Sequence, residues 1–508
     1  MNVAFLLRAN ARRQGQKICL VFNGQEVSYG WLDKRVDCLV RGLKVLGLER
    51  GKKLALFLRN SIQWVELFFA ASRAGVVLVP VSFRSRGEEL KYILEHSRPD
   101  ALAFDDFTRP VLEEILPEIK VSPVYIAAGE DLPPWAIPYR RIPLEGDSQP
   151  LWPEPRLADL HSICYTSGST GKPKGVMLTN ANVVVGQYFN CLTVFPFKEE
   201  DVFVITTPLC HRTGWGRLVQ AVGLGSTVCL LGTPYRPKEL VDIIASYRAT
   251  VVGMVPTMAR MLLEEVPVER LRKMDSWRGL LLTGESCPVS LKERLWEVLP
   301  AVQLYSFYAS TETGMISCLW GRDQMEKPHS VGRPVPGVEV TIADPGLGSG
   351  EILVRSGAPG DHTVMLGYYQ DEMATREALR DGWFHTGDVG SFDGDGYLYI
   401  TDRVKDLIIT GGLNVSSREV EDVLLQCPGV REAAVIGVPD DQWGEAIKAF
   451  VVADNGISEE EIRSFCARRL AGYKKPRYIQ FVASLPRTAT GKLRKQVLRE
   501  WEASGRSI

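Results

Sequence analysis

The sequence predicts an α/β protein: a large multi-subdomain N-terminal α/β domain over residues 1–402 and a small α+β C-terminal domain over 403–508. Three observations carry that expectation. Helical and strand-like patterns alternate through the first 150 residues and resume at Leu160. From about Val338 the pattern shortens to strands joined by tight turns. After Asp402 the register changes to a compact α+β pattern, the size of an independent domain.

The elements follow in order. Tyr29 to Leu46 has helical periodicity, and Lys53 to Leu58 reads as a strand. Ser61 to Arg73 is a second helix, and Gly75 to Val81 an apolar, buried strand. The Pro-rich stretch Pro133 to Pro155 is a connection. Val202 to Thr207, Thr250 to Val255 and Leu280 to Thr283 read as strands, and Pro237 to Tyr247 as a helix. Phe392-Asp393-Gly394-Asp395-Gly396-Tyr397 is a hairpin turn. The uncharged run Leu218 to Tyr235 is long enough for a membrane span. Its glycines and Pro234 make it a buried strand with turns instead.

Composition narrows the function. Of 508 residues 45% are hydrophobic and 24% charged, enough apolar surface to exclude disorder as the main state. Lys and Arg number 60 against 61 Asp and Glu, a net charge of −1 that argues against a dedicated nucleic-acid binder. Ten cysteines include no Cys-x-x-Cys pair, so neither a zinc site nor a thioredoxin-type site is expected. The Val3–Leu7 run is short for a signal core, and Arg506-Ser507-Ile508 is no peroxisomal signal. Scattered thiols then fit the cytoplasm.

The first chemical motif is Tyr165-Thr-Ser-Gly-Ser-Thr-Gly-Lys-Pro-Lys-Gly175, following the strand-like His161 to Tyr165. Gly168, Gly171 and Gly175 let backbone amides turn inward. Thr166, Ser167, Ser169 and Thr170 add hydroxyls, and Lys172 and Lys174 add charge, a composition suited to a polyphosphate. Pro173 after Lys172 excludes a Walker A loop, which needs Ser or Thr there.

This loop resembles the phosphate-binding signature of the adenylate-forming superfamily: acyl-CoA synthetases, luciferases and peptide-synthetase adenylation domains. The family's other signatures follow in its order, from about Tyr29 to Arg494. The resemblance, to the fatty- or aryl-acid CoA ligase branch, implies the adenylate-forming fold with a mobile C-terminal domain. Tyr305-Ser-Phe-Tyr-Ala-Ser-Thr-Glu312 is similar to a Tyr-Gly-x-Thr-Glu segment. It implies that Tyr308 stacks on adenine and that Thr311 and Glu312 hold the phosphates and Mg²⁺. Gly284, Glu285 and Ser286, after Leu282-Thr283, imply adenine contacts and a wall of the acyl pocket. Ala309 and Thr283 replace usual glycines. Trp383-Phe-His-Thr-Gly-Asp388 implies Asp388 on the ribose hydroxyls. In Asp402-Arg-Val-Lys-Asp-Leu-Ile-Ile-Thr-Gly-Gly412, Arg403 would contact ribose or phosphate and Lys405 would be the hinge, at about 402–406. Gly411 and Gly412 would line the pantetheine tunnel. Pro486-Arg-Thr-Ala-Thr-Gly-Lys492 implies Lys492 as the cation that stabilises attack on the α-phosphate.

Pro208-Leu-Cys-His-Arg-Thr-Gly-Trp215 falls on the acyl-pocket segment. It lacks the Asp of amino-acid-activating members. His211 occupies the family's gate between ATP and acyl sites. Arg212 either pairs a second substrate carboxylate or points to solvent. Trp215 and Val219 either line the pocket or belong to the core. The resemblance therefore implies an AMP-forming acid–thiol ligase of fatty-acid-type metabolism, using ATP, Mg²⁺ and CoA on a small-molecule carboxylic acid. The alternatives are delivery of acyl-AMP to another acceptor such as a carrier protein, and a catalytically dead nucleotide binder. A homodimer is left open. The near-zero net charge also hides a basic region: residues 463–508 hold 12 Lys and Arg against 2 Asp and Glu, suited to phosphates.

Overall fold

The computed structural model describes residues 2–142, 154–166, 172–285, 287–343, 349–403, 405–411, 413–454, 456–487 and 493–504, with the side chains of residues 191 and 414 excepted. The chain divides into two compact units. The larger comprises 1–340 with 354–384, and the smaller 341–353 with 385–508. This line lies before the junction expected at 402–403. The antiparallel ladder of Trp383–Phe392 with Leu398–Arg403 pairs Asp388 with Arg403, so 385–402 pack within the smaller unit.

Among the described residues the larger unit contains two sheets. One has eight strands, with Lys174–Thr179, Leu160–Thr166, Val77–Pro80, Lys53–Phe57, Ala101–Phe104 and Val124–Ala127 as successive neighbours. The other has nine, and its centre runs Gln303–Ser310, Gly279–Leu282, Val251–Met254, Val202–Ile205, Thr227–Leu230. Parallel pairing dominates both centres, and strands such as Val77–Pro80 and Gly279–Leu282 are buried throughout. That is why they read as continuous apolar runs rather than alternations.

Helix Ile62–Ala74 illustrates the local causes. Ser61 caps it by accepting from the Trp64 amide at 3.1 Å, and Gly75 ends it at φ +70°. Trp64, Phe68 and Phe69 are fully buried, each contributing roughly 2 kcal/mol or more of apolar burial. The helix is apolar nearly all round because it is a core helix.

Most expected elements appear within a residue or two, including Pro237–Tyr247. The run Leu218 to Tyr235 differs. Its first part is the end of helix Arg212–Leu224, Gly225 turns at φ +84°, and only Thr227–Leu230 is strand. Gly223 lies within the buried helix, where its missing side chain admits the Tyr188 ring. Among the described residues no helix is long and apolar enough to cross a membrane.

The smaller unit carries a sheet with Val430–Asp440 and Gly444–Ala453 as its long strands. Successive residues feed opposite faces. Val435, Ile447 and Val451 join Ile408, Val420 and Phe465, while Ala434, Ile436 and Phe450 join Leu498. Lys495 pairs Glu421 at 2.8 Å, and Arg499 pairs Asp406 at 2.7 Å, tying the terminal helix to the unit.

Candidate active site

Several expected site residues lie outside the described residues: Ser167, Gly168, Ser169, Thr170, Gly171, Ser286, Gly412 and Lys492. The strands on either side of the hydroxyl-rich segment are described. Leu160–Thr166 pairs antiparallel with Lys174–Thr179, so Thr166 stands opposite Lys174. Tyr165 is anchored by a 2.8 Å contact between its hydroxyl and His96 Nδ1. Lys172 lies over the Tyr92 ring and Lys174 over the Tyr368 ring.

Thr166 meets Glu312. The hydroxyl of Thr166 donates to Glu312 Oε1 at 3.5 Å, and the Tyr368 hydroxyl donates to the same oxygen at 3.3 Å. The Glu312 carbonyl accepts from the Met365 amide at 2.7 Å. Burial, reinforced by the Glu312 charge, pushes the Tyr368 phenol well above its ordinary range, so it stays a donor. Tyr368 was not found from the sequence; a tyrosine after Gly367 carries no chemical signature of its own. The Glu312 carboxylate and the Thr166 and Tyr368 hydroxyls on it form a hard-oxygen set. Among the described residues no three His, Cys, Asp or Glu gather as a metal cage. The oxygen set fits Mg²⁺, which takes one or two carboxylates and completes its shell with water and phosphate.

Tyr308 sits on Gln303–Ser310, where the register shifts between Tyr308 and Ala309. The bulge turns the strand end toward the Thr311–Glu312 corner. Gly284 turns at φ +96°, with a Cβ's place only 3.1 Å from Val255, so a side chain would be strained and crowded. The Glu285 carboxylate accepts from Thr257 at 3.1 Å (amide) and 2.8 Å (hydroxyl), capping helix Pro256–Glu265. That side chain is thus engaged with the helix start at Thr257.

The acyl segment is fixed by Asn60, which sequence reading missed. Buried Asn60 accepts from the Leu209 amide at 2.8 Å and donates to the Leu231 and Thr207 carbonyls at 3.2 and 3.4 Å. His211 is half-buried at the start of helix Arg212–Leu224. Arg212 corrects the expectation that it points to solvent or to substrate. It is buried, and its guanidinium donates to the Thr311 carbonyl. Trp215 and Val219 are core, Trp215 packing on Phe68 and His161.

The smaller unit holds its own group. Arg403 Nε donates to Asp388 Oδ1 at 3.0 Å across the ladder. Glu351 accepts from the Gly387 amide at 3.0 Å and contacts His385 at 2.7 Å, fixing the turn that presents Asp388. Burial lowers the Lys405 ammonium below its ordinary range, and its carbonyl accepts from Arg499 at 3.1 Å. Gly411 turns at φ +57° against Trp443. Beside it lies a groove of about 630 Å³ whose lining includes Trp443, Tyr473, Lys475 and Arg477. Aromatic faces with exposed cations suit a nucleotide bearing phosphates.

Comparison with known proteins identifies the family. Residues 7–369 match the family model described as AMP-binding enzyme, and 419–492 the one described as AMP-binding enzyme C-terminal domain. The chain is 34% identical over 500 residues to a feruloyl-CoA synthase of Amycolatopsis sp, covering 96% of each. It is 36% identical over 469 residues to a 2-succinylbenzoate–CoA ligase of Bacillus licheniformis, covering 90% of this chain and 91% of that one. The o-succinylbenzoate CoA synthetase of Bacillus subtilis, solved with its acyl-adenylate intermediate, superposes with a TM-score of 0.85 at 29% identity, covering 97% of each chain. The same enzyme is also solved with ATP and a magnesium ion, with a TM-score of 0.84 at 29% identity, covering 97% of this chain and 99% of that one.

Proposed function

The chain belongs to the AMP-binding enzyme family and is an AMP-forming CoA ligase using ATP, Mg²⁺ and CoA, and we propose that the residues gathered above divide its two half-reactions between them. Thr166 and the segment Ser167–Gly171, with Lys172 and Lys174, hold the phosphates. Tyr308 covers adenine beside Gly284, Glu285 and Ser286. Asp388 and Arg403 take the ribose. Thr311 and Glu312 hold Mg²⁺, which when bound neutralises phosphate charge. The acid's carboxylate oxygen attacks the α-phosphorus, and the bond to pyrophosphate breaks. The Lys492 ammonium stabilises the charge that develops there. His211 gates the acyl site.

The small domain then turns about 402–406 with Lys405 as pivot. The CoA thiol passes Gly411 and Gly412 and attacks the acyl carbonyl. The carbon–sulfur bond forms as the bond to AMP breaks, and the thiol proton passes to solvent. The groove at Trp443 and Lys475 receives the nucleotide end of CoA, which supports CoA over a carrier protein. The described cysteines are all free, supporting a reducing cytoplasm.

The observation that carries this reading is Thr166 and Tyr368 converging on Glu312. Its test is ATP–pyrophosphate exchange across a panel of carboxylic acids, aryl acids first. Free CoA is then compared with an acyl carrier protein by AMP release. In Lys492→Ala, exchange should fall by roughly a hundredfold or more, while thioester formation from supplied acyl-AMP stays within about threefold. Equal loss of both half-reactions would refute the division.

A further inference from the structure

Arg212 bears two costs that its neighbours do not explain. It is the first residue of a 13-residue helix, where the helix dipole opposes a cation. It is also buried, and a buried guanidinium must find acceptors for its donors. Burial pulls its ionisation down to about 10 against the raising influence of Cys164 and Glu312, so it remains a cation at neutral pH.

Its acceptors define what it does. Nη1 donates to the Thr311 carbonyl, and Nη2 to the Asn182 carbonyl at 3.5 Å. With the Gln187 amide oxygen turned toward it, that oxygen accepts from Nε at 3.0 Å and from Nη2 at 3.3 Å. Glycines make room on two sides. A Cβ at Gly314 would stand 3.0 Å from Nη2, and one at Gly186 3.4 Å from it. Asn182 in turn donates to the carbonyls of His362 and Val364 at 3.0 and 2.8 Å, and the Met365 amide donates to the Glu312 carbonyl. Thr311 and Glu312 are thus gripped from behind by one continuous network, and Arg212 is its charged member.

We infer that Arg212 is a positioning residue that fixes the Thr311–Glu312 turn for the half-reaction that uses ATP, and not for the half-reaction that uses CoA. The inference rests on the assignment of Thr311 and Glu312 to phosphate and Mg²⁺. A fixed carbonyl at Thr311 sets where both side chains point, and a group that holds phosphates must be rigid before the ligand arrives. Neutral donors would satisfy these carbonyls at less desolvation cost; the full fork is what spans all three acceptors at once.

The experiment compares Arg212→Met and Arg212→Lys with the wild-type chain. Arg212→Met should raise the KM for MgATP in acid-dependent exchange by about tenfold and lower the exchange rate, with the KM for the acid within about twofold. Thioester formation from supplied acyl-AMP should stay within about twofold, and Arg212→Lys should recover part of the loss. An equal fall in both half-reactions, or an unchanged KM for MgATP, overturns the inference. If Arg212→Met does not fold, Gln187→Leu decides, because it removes the acceptor that holds Nε and Nη2 and keeps the guanidinium. Loss confined to exchange supports the inference, and loss of both half-reactions or of neither overturns it. Thermal protection by MgATP separates this inference from the ligase assignment. A wild-type chain that is protected by MgATP but exchanges with no acid contradicts the ligase assignment alone. Loss of that protection in Arg212→Met then still supports the positioning role, and retention overturns it.

Discussion

His161 is a fully buried imidazole with one nitrogen partnered. Its Nε2 lies 3.0 Å from the Ser72 hydroxyl, and its Nδ1 has no hydrogen-bond partner among the described residues. The ring packs against Phe68 and Trp215, and burial holds its ionisation down to about 3. The sign follows from linkage. The folded chain keeps this ring neutral, whereas the unfolded chain protonates it near 6.5, so acid favours the unfolded chain. Its stabilising effect is full above that value and falls by about 1.4 kcal/mol per pH unit below it. Thermal unfolding at pH 5 and pH 7 checks this: the loss between them should be about 2 kcal/mol smaller in His161→Gln. A pH dependence the same as that of the wild-type chain would contradict the assignment. The same scale shows what a sequence withholds. Glu312 and Asp388 could be assigned because a carboxylate in a family motif has few other uses. Arg212, Asn60 and Tyr368 could not, because each acts through a backbone carbonyl, an amide or another side chain brought close only by folding.

Gly411 joins the short strands Ile408–Thr410 and Leu413–Val415, and its amide donates to the Trp443 carbonyl at 2.8 Å. Its φ of +57° and a Cβ position 2.9 Å from the Trp443 ring leave no place for a side chain. Gly411→Val should therefore cost about 1–2 kcal/mol in backbone strain and move the Trp443 ring at the groove. Turnover with CoA should fall about tenfold or more, with ATP–pyrophosphate exchange within about twofold. Full turnover with CoA would separate this turn from the thiol's route. Elements of this kind were legible where one physical signal dominated. Buried parallel strands are apolar runs, and a Gly-Gly turn or an Asp-Gly hairpin announces itself. The π-helical turn Val184–Phe189 was not legible, since its residues have no period that separates it from the helices flanking it. Nor was the helical half of Leu218 to Tyr235, because apolar length alone does not distinguish a buried helix from a buried strand.

At the scale of the molecule, a net charge of −1 conceals a strongly basic final stretch, and folding decides which of its cations remain available. Many are engaged within the smaller unit. Arg463 pairs Glu459, Arg477 pairs Asp440 at 2.9 Å, Lys474 pairs Glu419 at 2.7 Å, and Lys495 pairs Glu421. Lys475 lies exposed on the groove between the Tyr473 and Arg477 positions. An exposed ion pair would stabilise the fold little, and the proposed CoA site assigns this cation a phosphate. CoA carries a 3′-phosphate that dephospho-CoA lacks, and the comparison isolates this one contact. For the wild-type chain the KM for dephospho-CoA should exceed that for CoA by about fivefold to tenfold, an amount that shrinks as salt is raised from about 0.05 to about 0.5 M. Lys475→Ala should raise the KM for CoA toward that for dephospho-CoA and leave the latter unchanged. Exchange with ATP and the acid should be unaffected, because the groove takes no part in the first half-reaction. A variant that keeps the wild-type ratio of the two KM values would place the nucleotide end of CoA elsewhere on the protein.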